Sequence, residues 1–216
     1  ALVNAIVQDG GFEVALNTSV ASVQQTTNGV SVTTTTGEVV NAKRAVVTVP
    51  LNVLNSVAFD PPLSSVKQEA SALKHVGGGY KVFFEVDGDP GAVMTLSRST
   101  DSPLIGSFTY KRGQKHSVLA GFSLEPGALE KPLSEWQTVL EEFLPGVRLL
   151  STFGHDWGVD ALSQGSWCTY RPGTFGRFVD ELPRHEDHLF FASADTSEGW
   201  RGFIEGAIAS GSKAAV

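Results

Sequence analysis

The residues whose types and spacing bear most directly on chemistry lie near the C-terminal end. The apolar run Leu189-Phe190-Phe191-Ala192 passes into the small polar turn Ser193-Ala194-Asp195-Thr196, and Gly199-Trp200-Arg201-Gly202-Phe203-Ile204-Glu205-Gly206-Ala207 follows. This order reads as a buried strand, a tight turn and the start of a helix. Free amides at the helix start, with the positive end of its dipole, would face an anion or cofactor above the turn. Gly202, Gly206 and Gly211 permit close backbone approach, either to such a ligand or to a neighbouring element. The residues alone leave both readings open.

Other chemistries find less support. His75, His116, His155, His185 and His188 show no metal-ligand spacing with carboxylates or with Cys168. His155-Asp156 reads as a turn beside a strand end, and no G-x-S-x-G elbow is present. No G-x-G-x-x-G follows a strand, and Gly77-Gly78-Gly79 precedes one, so the glycine-rich dinucleotide fingerprint is absent.

The elements that would position these residues follow from hydrophobic spacing. Leu2, Ile6 and Val7 mark an amphipathic helix. Phe12 to Leu16, Val20 to Gln24, Val30 to Thr35 and Val39-Val40 are β-prone runs separated by Asn17, Asn28-Gly29 and Gly37-Glu38. Ala45 to Val49 is a short strand ending at Pro50, Leu51 to Leu54 can open a helix, and Ser64 caps a helix reaching Leu73. Strands at 80–86, 92–96, 105–110 and 117–122 predict an antiparallel sheet, followed by a helix over 133–143 and a strand over 147–153. The resulting division is a β-rich piece at 1–50, an inserted sheet-and-helix domain at 51–155 and a return at 156–216.

Composition bounds the function. The 216 residues are 41% hydrophobic and 18% charged, as in a globular chain with a real core. A net charge of −7 without a Lys/Arg cluster argues against nucleic acid. No apolar run of about 18 residues could span a bilayer and no signal peptide opens the chain, so it reads as soluble and intracellular. The single cysteine excludes an internal disulfide and reads as a small buried residue. The chain begins at Ala1 inside a helical pattern and ends at Val216 inside another, and so reads as a segment of something longer.

Four co-linear stretches carry a family resemblance: Lys43 to Leu54, Phe59-Asp60-Pro61-Pro62-Leu63, Trp157 to Pro172 and Phe191 to Ala207. Together they resemble the C-terminal half of the flavin monoamine oxidase family, and most closely its fungal type. The resemblance implies an α+β fold in which 1–50 and 156–216 are parts of an FAD-binding Rossmann-like domain. Residues 51–155 would be its inserted substrate-binding domain, with an antiparallel sheet and helices. It also implies a partner, the N-terminal FAD-binding half, on the same or a separate chain.

Residue by residue, the resemblance assigns roles. Val20 matches a strand position that contacts the adenine ring. Lys81 matches the lysine holding a water near flavin N5, where hydride leaves the amine and oxygen later reacts; on local sequence alone it would be a solvated lysine on an edge strand. Trp157 matches an aromatic wall beside the flavin. Trp167 and Phe203 match the aromatic pair that sandwiches the amine, less polar and bulkier here than the two tyrosines of many relatives. Ser166 stands where mammalian relatives carry the cysteine bonded to flavin, so FAD would be non-covalent. Ala194, Asp195, Thr196 and the Ile204 amide match contacts to the ribityl chain, pyrophosphate and pyrimidine edge.

The function so implied is FAD-dependent oxidative deamination of hydrophobic primary amines, extending to secondary ones. An imine and then an aldehyde or ketone would form, with O2 reduced to hydrogen peroxide. The alternatives are a catalytically silent fragment, or a polyamine, nicotine-type or L-amino-acid oxidase. An acid substrate would call for an arginine in the cage, from Arg98, Arg171 or Arg201. A homo-oligomer and a cytoplasmic or peroxisomal site complete the expectations.

Overall fold

A computed structural model describes residues 2–215. Ala1 and Val216, on which the reading of a longer chain rested, lie outside them. In chain order the elements are α1 (Leu2–Gly10), β1 (Val20–Thr26), β2 (Gly29–Thr34), β3 (Val39–Ala42), β4 (Ala45–Val47), a 3-10 helix (Leu51–Ser56), β5 (Ala58–Asp60) and α2 (Ser65–Leu73). There follow β6 (Tyr80–Asp87), β7 (Met94–Leu96), β8 (Gly106–Lys111), β9 (His116–Ser123), α3 (Leu133–Phe143), β10 (Leu149–Gly154), α4 (Phe175–Phe178), β11 (Leu189–Phe191) and α5 (Ile204–Ala214). Helices and sheets are thus mixed, as the α+β reading expects.

The chain forms two compact units: residues 1–49, 54–72 and 176–216, and residues 50–53 and 73–175. These bounds differ from the division read along the sequence. Most of α2 lies with the first unit, and residues 156–175, bearing Trp157, Ser166 and Trp167, lie with the second.

In the first unit, α1 ends where the Gly11 amide bonds the Val7 carbonyl at 3.0 Å and Gly11 takes φ 61°, the left-handed stop that glycine accommodates. Residues 12–19 are irregular, against the expectation of a strand at Phe12 to Leu16. Phe12, Val14 and Leu16 are exposed, and no strand pairs with them among the described residues. A sheet of order β3-β2-β1-β5 follows, with β5 parallel to β1, and β4 pairs in parallel with β11. Ser64 caps α2, its Oγ accepting the Lys67 amide at 3.4 Å.

The second unit is built on the antiparallel sheet β10-β6-β9-β8-β7. Alternation along β6 sends Val82, Phe84 and Val86 into the core, where Trp136 and Leu140 of α3 join them with Leu104, Leu119 and Leu149. The Trp136 ring meets Phe84 edge-on at 5.1 Å, and its Nε1 donates to the Ala128 carbonyl at 3.0 Å. Lys81, Phe83 and Glu85 point from the opposite face of the same strand.

Candidate active site

The second unit groups three residues around the sheet face opposite α3. Lys81 is not on an edge: β6 runs between β10 and β9, and Lys81 pairs across the ladder with Phe122. Its Nζ lies 5.6 Å from the Phe122 ring centre, within cation–π range. The Phe122 ring lies 6.4 Å from that of Trp167. Lys81, Phe122 and Trp167 therefore form a continuous chain of contacts.

Beside them is an apolar pocket of about 210 Å³, lined by Met94, Leu96, Ile105, Phe108, Phe122 and Trp167, together with Gly106, Thr95 and Ser107. The hydroxyls of Thr95 and Ser107 pair with each other at 2.9 Å, so they satisfy one another at the wall. No charged side chain lines this pocket.

Trp167 is held from behind by backbone. The Ser166 amide and hydroxyl both donate to the Gly77 carbonyl, at 3.2 and 3.1 Å, and Gly77 and Trp167 form an isolated antiparallel bridge. Asn52 is buried, at 6% exposure. Its Nδ2 donates to the Gln164 carbonyl at 2.7 Å, and its Oδ1 accepts the His75 amide at 2.6 Å. One side chain so ties the approach to Trp167 to the approach to Gly77. Trp157 packs edge-on against His155 at 4.3 Å. His155 Nε2 lies 2.9 Å from Asp160, whose carboxyl is held below the usual carboxylate range, first by this hydrogen bond and then by the Leu162 amide. Cys168 is half-buried, not enclosed as its size suggested, because it follows Trp167 in an irregular segment.

The first unit holds the other named positions. Val20 opens β1, opposite Thr34. Beyond β11, the turn is fixed by hydroxyls: Thr196 Oγ1 accepts the Ser193 amide at 3.0 Å and meets Ser210 Oγ at 3.1 Å, and Ser193 Oγ accepts the Asp195 amide at 3.1 Å. Arg201 Nε donates to the Asp195 carbonyl at 3.2 Å. Ala194 accepts the Gly202 amide at 3.0 Å, closing the loop that delivers Phe203. Phe203 occupies the cap position of the eleven-residue helix α5, and its side chain makes no cap bond to the first amides. Its ring meets Trp200 edge-on at 6.1 Å, and Trp200, Phe203, Ile204 and Glu205 line a shallow apolar surface. Glu198 is held below the usual carboxylate range by its hydrogen bond with Lys213. Trp167 and Phe203 belong to different units.

Reading the sequence missed Asn52, Phe122 and the role of Gly77 and Gly79 in seating Trp167. The available signal is the three successive glycines, which form no dinucleotide motif and so leave close packing as their reason.

The family described as flavin containing amine oxidoreductase matches over residues 1–216. The pseudooxynicotine dehydrogenase of a Pseudomonas species is 39% identical over 213 residues, which are 97% of this chain and 43% of that protein. The nicotine dehydrogenase of Pseudomonas putida is 31% identical over 218 residues, 99% of this chain and 44% of that protein. The chain thus spans less than half the length of these curated relatives. Among solved structures, a putrescine oxidase bound to putrescine superposes with a TM-score of 0.83 at 18% identity, covering 97% of this chain and 50% of that one. That likeness shows the fold.

Proposed function

The chain belongs to the flavin-containing amine oxidoreductase family, and from that premise we propose that it forms the amine-binding part of an enzyme that oxidises apolar monoamines with FAD. The observation that carries this reading is the uncharged pocket beside Trp167, next to Lys81. The α5 amides left uncapped at Phe203, and the turn at Ala194, Asp195 and Thr196, suit the polar part of a flavin nucleotide. With Ser166 in place of a thiol, these contacts would hold FAD without a covalent bond. Bound FAD would supply the acceptor for the two electrons leaving the amine α-carbon, with O2 as the final oxidant.

The chain's own residues do the rest. Trp167 would present a ring face to the amine, orient its α-carbon and exclude water, which favours the neutral amine over the ammonium. The Lys81 cation would stabilise negative charge as oxygen is reduced. A diamine would place a second cation in a pocket without a carboxylate, and an amino acid would place its carboxylate where none of Arg98, Arg171 or Arg201 lines the wall.

The test is steady-state oxidation of phenethylamine, putrescine and an L-amino acid by the flavin-loaded protein. Peroxide is followed in air and dye reduction without oxygen, since the two Pseudomonas relatives carry dehydrogenase names. Phenethylamine should lead in kcat/KM by about tenfold or more. A preference for putrescine or the amino acid would sink the reading.

A further inference from the structure

Gly77, Gly78 and Gly79 differ in what a side chain would meet, and the difference points at Trp167. None of the three has a positive φ, so any requirement for glycine there is one of space. A Cβ on Gly77 would fall 2.4 Å from the Trp167 carbonyl oxygen, and one on Gly78 would meet nothing within 4 Å. A Cβ on Gly79 would fall 2.1 Å from Cη2 and 2.2 Å from Cζ3 of the Trp167 indole. Those atoms belong to the outer ring, the part of tryptophan that a phenyl side chain lacks. A rigid bicycle cannot yield there as a flexible chain end would, so any side chain at position 79 must displace the ring.

The displacement has a direct consequence for binding, because Trp167 is a wall of the 210 Å³ pocket. An apolar cavity of about 150 Å³ already accepts benzene, so the pocket suits one aryl or cycloalkyl group, and the seat of the indole sets its width. The backbone on either side cannot follow the ring. Asn52 fixes residues 75 and 164, and a Cβ on Gly165 would fall 2.3 Å from Asn52 Nδ2.

We propose that Gly79 is a specificity-determining residue that acts through Trp167: the absent side chain at 79 is the space into which the indole fits, and the pair together sizes the pocket for the apolar group of the amine. The kinetic part of this claim rests on the amine-oxidising reading above.

The test is a mutant cycle in the flavin-loaded protein, using Gly79→Ala and Gly79→Val in the wild-type and Trp167→Phe backgrounds, with Gly78→Ala as control. The dissociation constant of phenethylamine and the urea midpoint are measured beside turnover. Gly79→Val should weaken phenethylamine binding and raise its KM by about tenfold, while changing propylamine KM much less, and should matter about twofold or less once Trp167 is Phe. Gly79→Ala should show the same pattern in smaller degree, which keeps the test readable if Val at 79 does not fold. Equal effects of Gly79→Val in both backgrounds, or Gly79→Ala indistinguishable from Gly78→Ala, would overturn the proposal. If no amine is turned over, the proposed function fails, while phenethylamine binding and the midpoints still decide the fate of the pair. Failure of phenethylamine to bind any variant would overturn the specificity claim as well.

Discussion

Lys67 shows how far a single side chain can depart from what its type suggests. It is fully buried in the first unit, with Nζ 2.8 Å from Glu186 and 4.0 Å from Glu181, and 4.6 Å above the Phe191 ring. Glu186 also accepts the Ser64 amide at 3.2 Å, so one carboxylate serves a helix start and a buried cation. Lys67→Met should cost about 3 kcal/mol in urea unfolding, at the lower end for a broken buried pair because Glu186 retains some water. Replacing Glu186 by Leu in the same protein should recover part of that loss, and a larger loss would show the carboxylate matters more to Ser64 than to Lys67. Asp160 gives a pH signature with the opposite charge. Its folded pKa is depressed, so its stabilisation is fully present above the unfolded value of about 3.9 and disappears as pH falls through the folded value. The stability gap between wild type and Asp160→Asn should hold at neutral pH and close on acidification below the carboxylate range; a gap that persists at low pH would assign it to packing. The Ser64 cap was legible because Ser before a helical run satisfies orphan amides. The burial of Lys67 was not, because its partner carboxylate lies 119 positions away.

Between elements, the two faces of β6 separate the core from the proposed site. Val82, Phe84 and Val86 pack with α3, whereas Lys81 points from the other face towards Phe122. Trp136→Phe removes the Nε1 bond to Ala128 and should cost about 1–2 kcal/mol in unfolding, with amine turnover unchanged. Lys81→Met should do the reverse, lowering turnover while shifting stability by about 0.5 kcal/mol or less. If both variants lose stability and turnover together, the faces are not independent. The helix over 133–143 was readable to the residue, since Pro132 opens it and apolar spacing continues to Phe143. The strands of this sheet were readable within a few residues because alternation is a local signal. Phe12 to Leu16 carried the same local signal without a pairing strand, and hydrogen-bond partners, unlike propensity, lie elsewhere in the chain. The seat of Trp167 was illegible for a related reason: it depends on Asn52, 115 positions earlier by number (167 − 52), and on the absence of atoms at Gly79.

On the scale of the molecule, the apolar surface is the feature with consequences. Leu2, Val3 and Ile6 of α1 are exposed, as are Trp200, Phe203 and Ile204 around the start of α5. The surface that Trp200, Phe203 and Ile204 line together is of the kind that marks an interaction face on a globular chain, and both groups lie in the first unit. The relatives that match almost the whole chain are more than twice its length, and the residues here contain no glycine-rich dinucleotide fingerprint. If the proposed function holds, a glycine-rich half that completes the nucleotide fold would cover these side chains and supply the remaining FAD contacts. The 216-residue polypeptide purified alone should self-associate at micromolar concentration and brighten a hydrophobic dye. Co-expression with such a half should suppress both and give a flavin absorption spectrum. Light scattering and the visible spectrum of the same samples decide the matter. A monodisperse, dye-silent polypeptide would mean that the exposed groups of α1 and α5 are satisfied within the chain, and the need for a covering half would fall with that result.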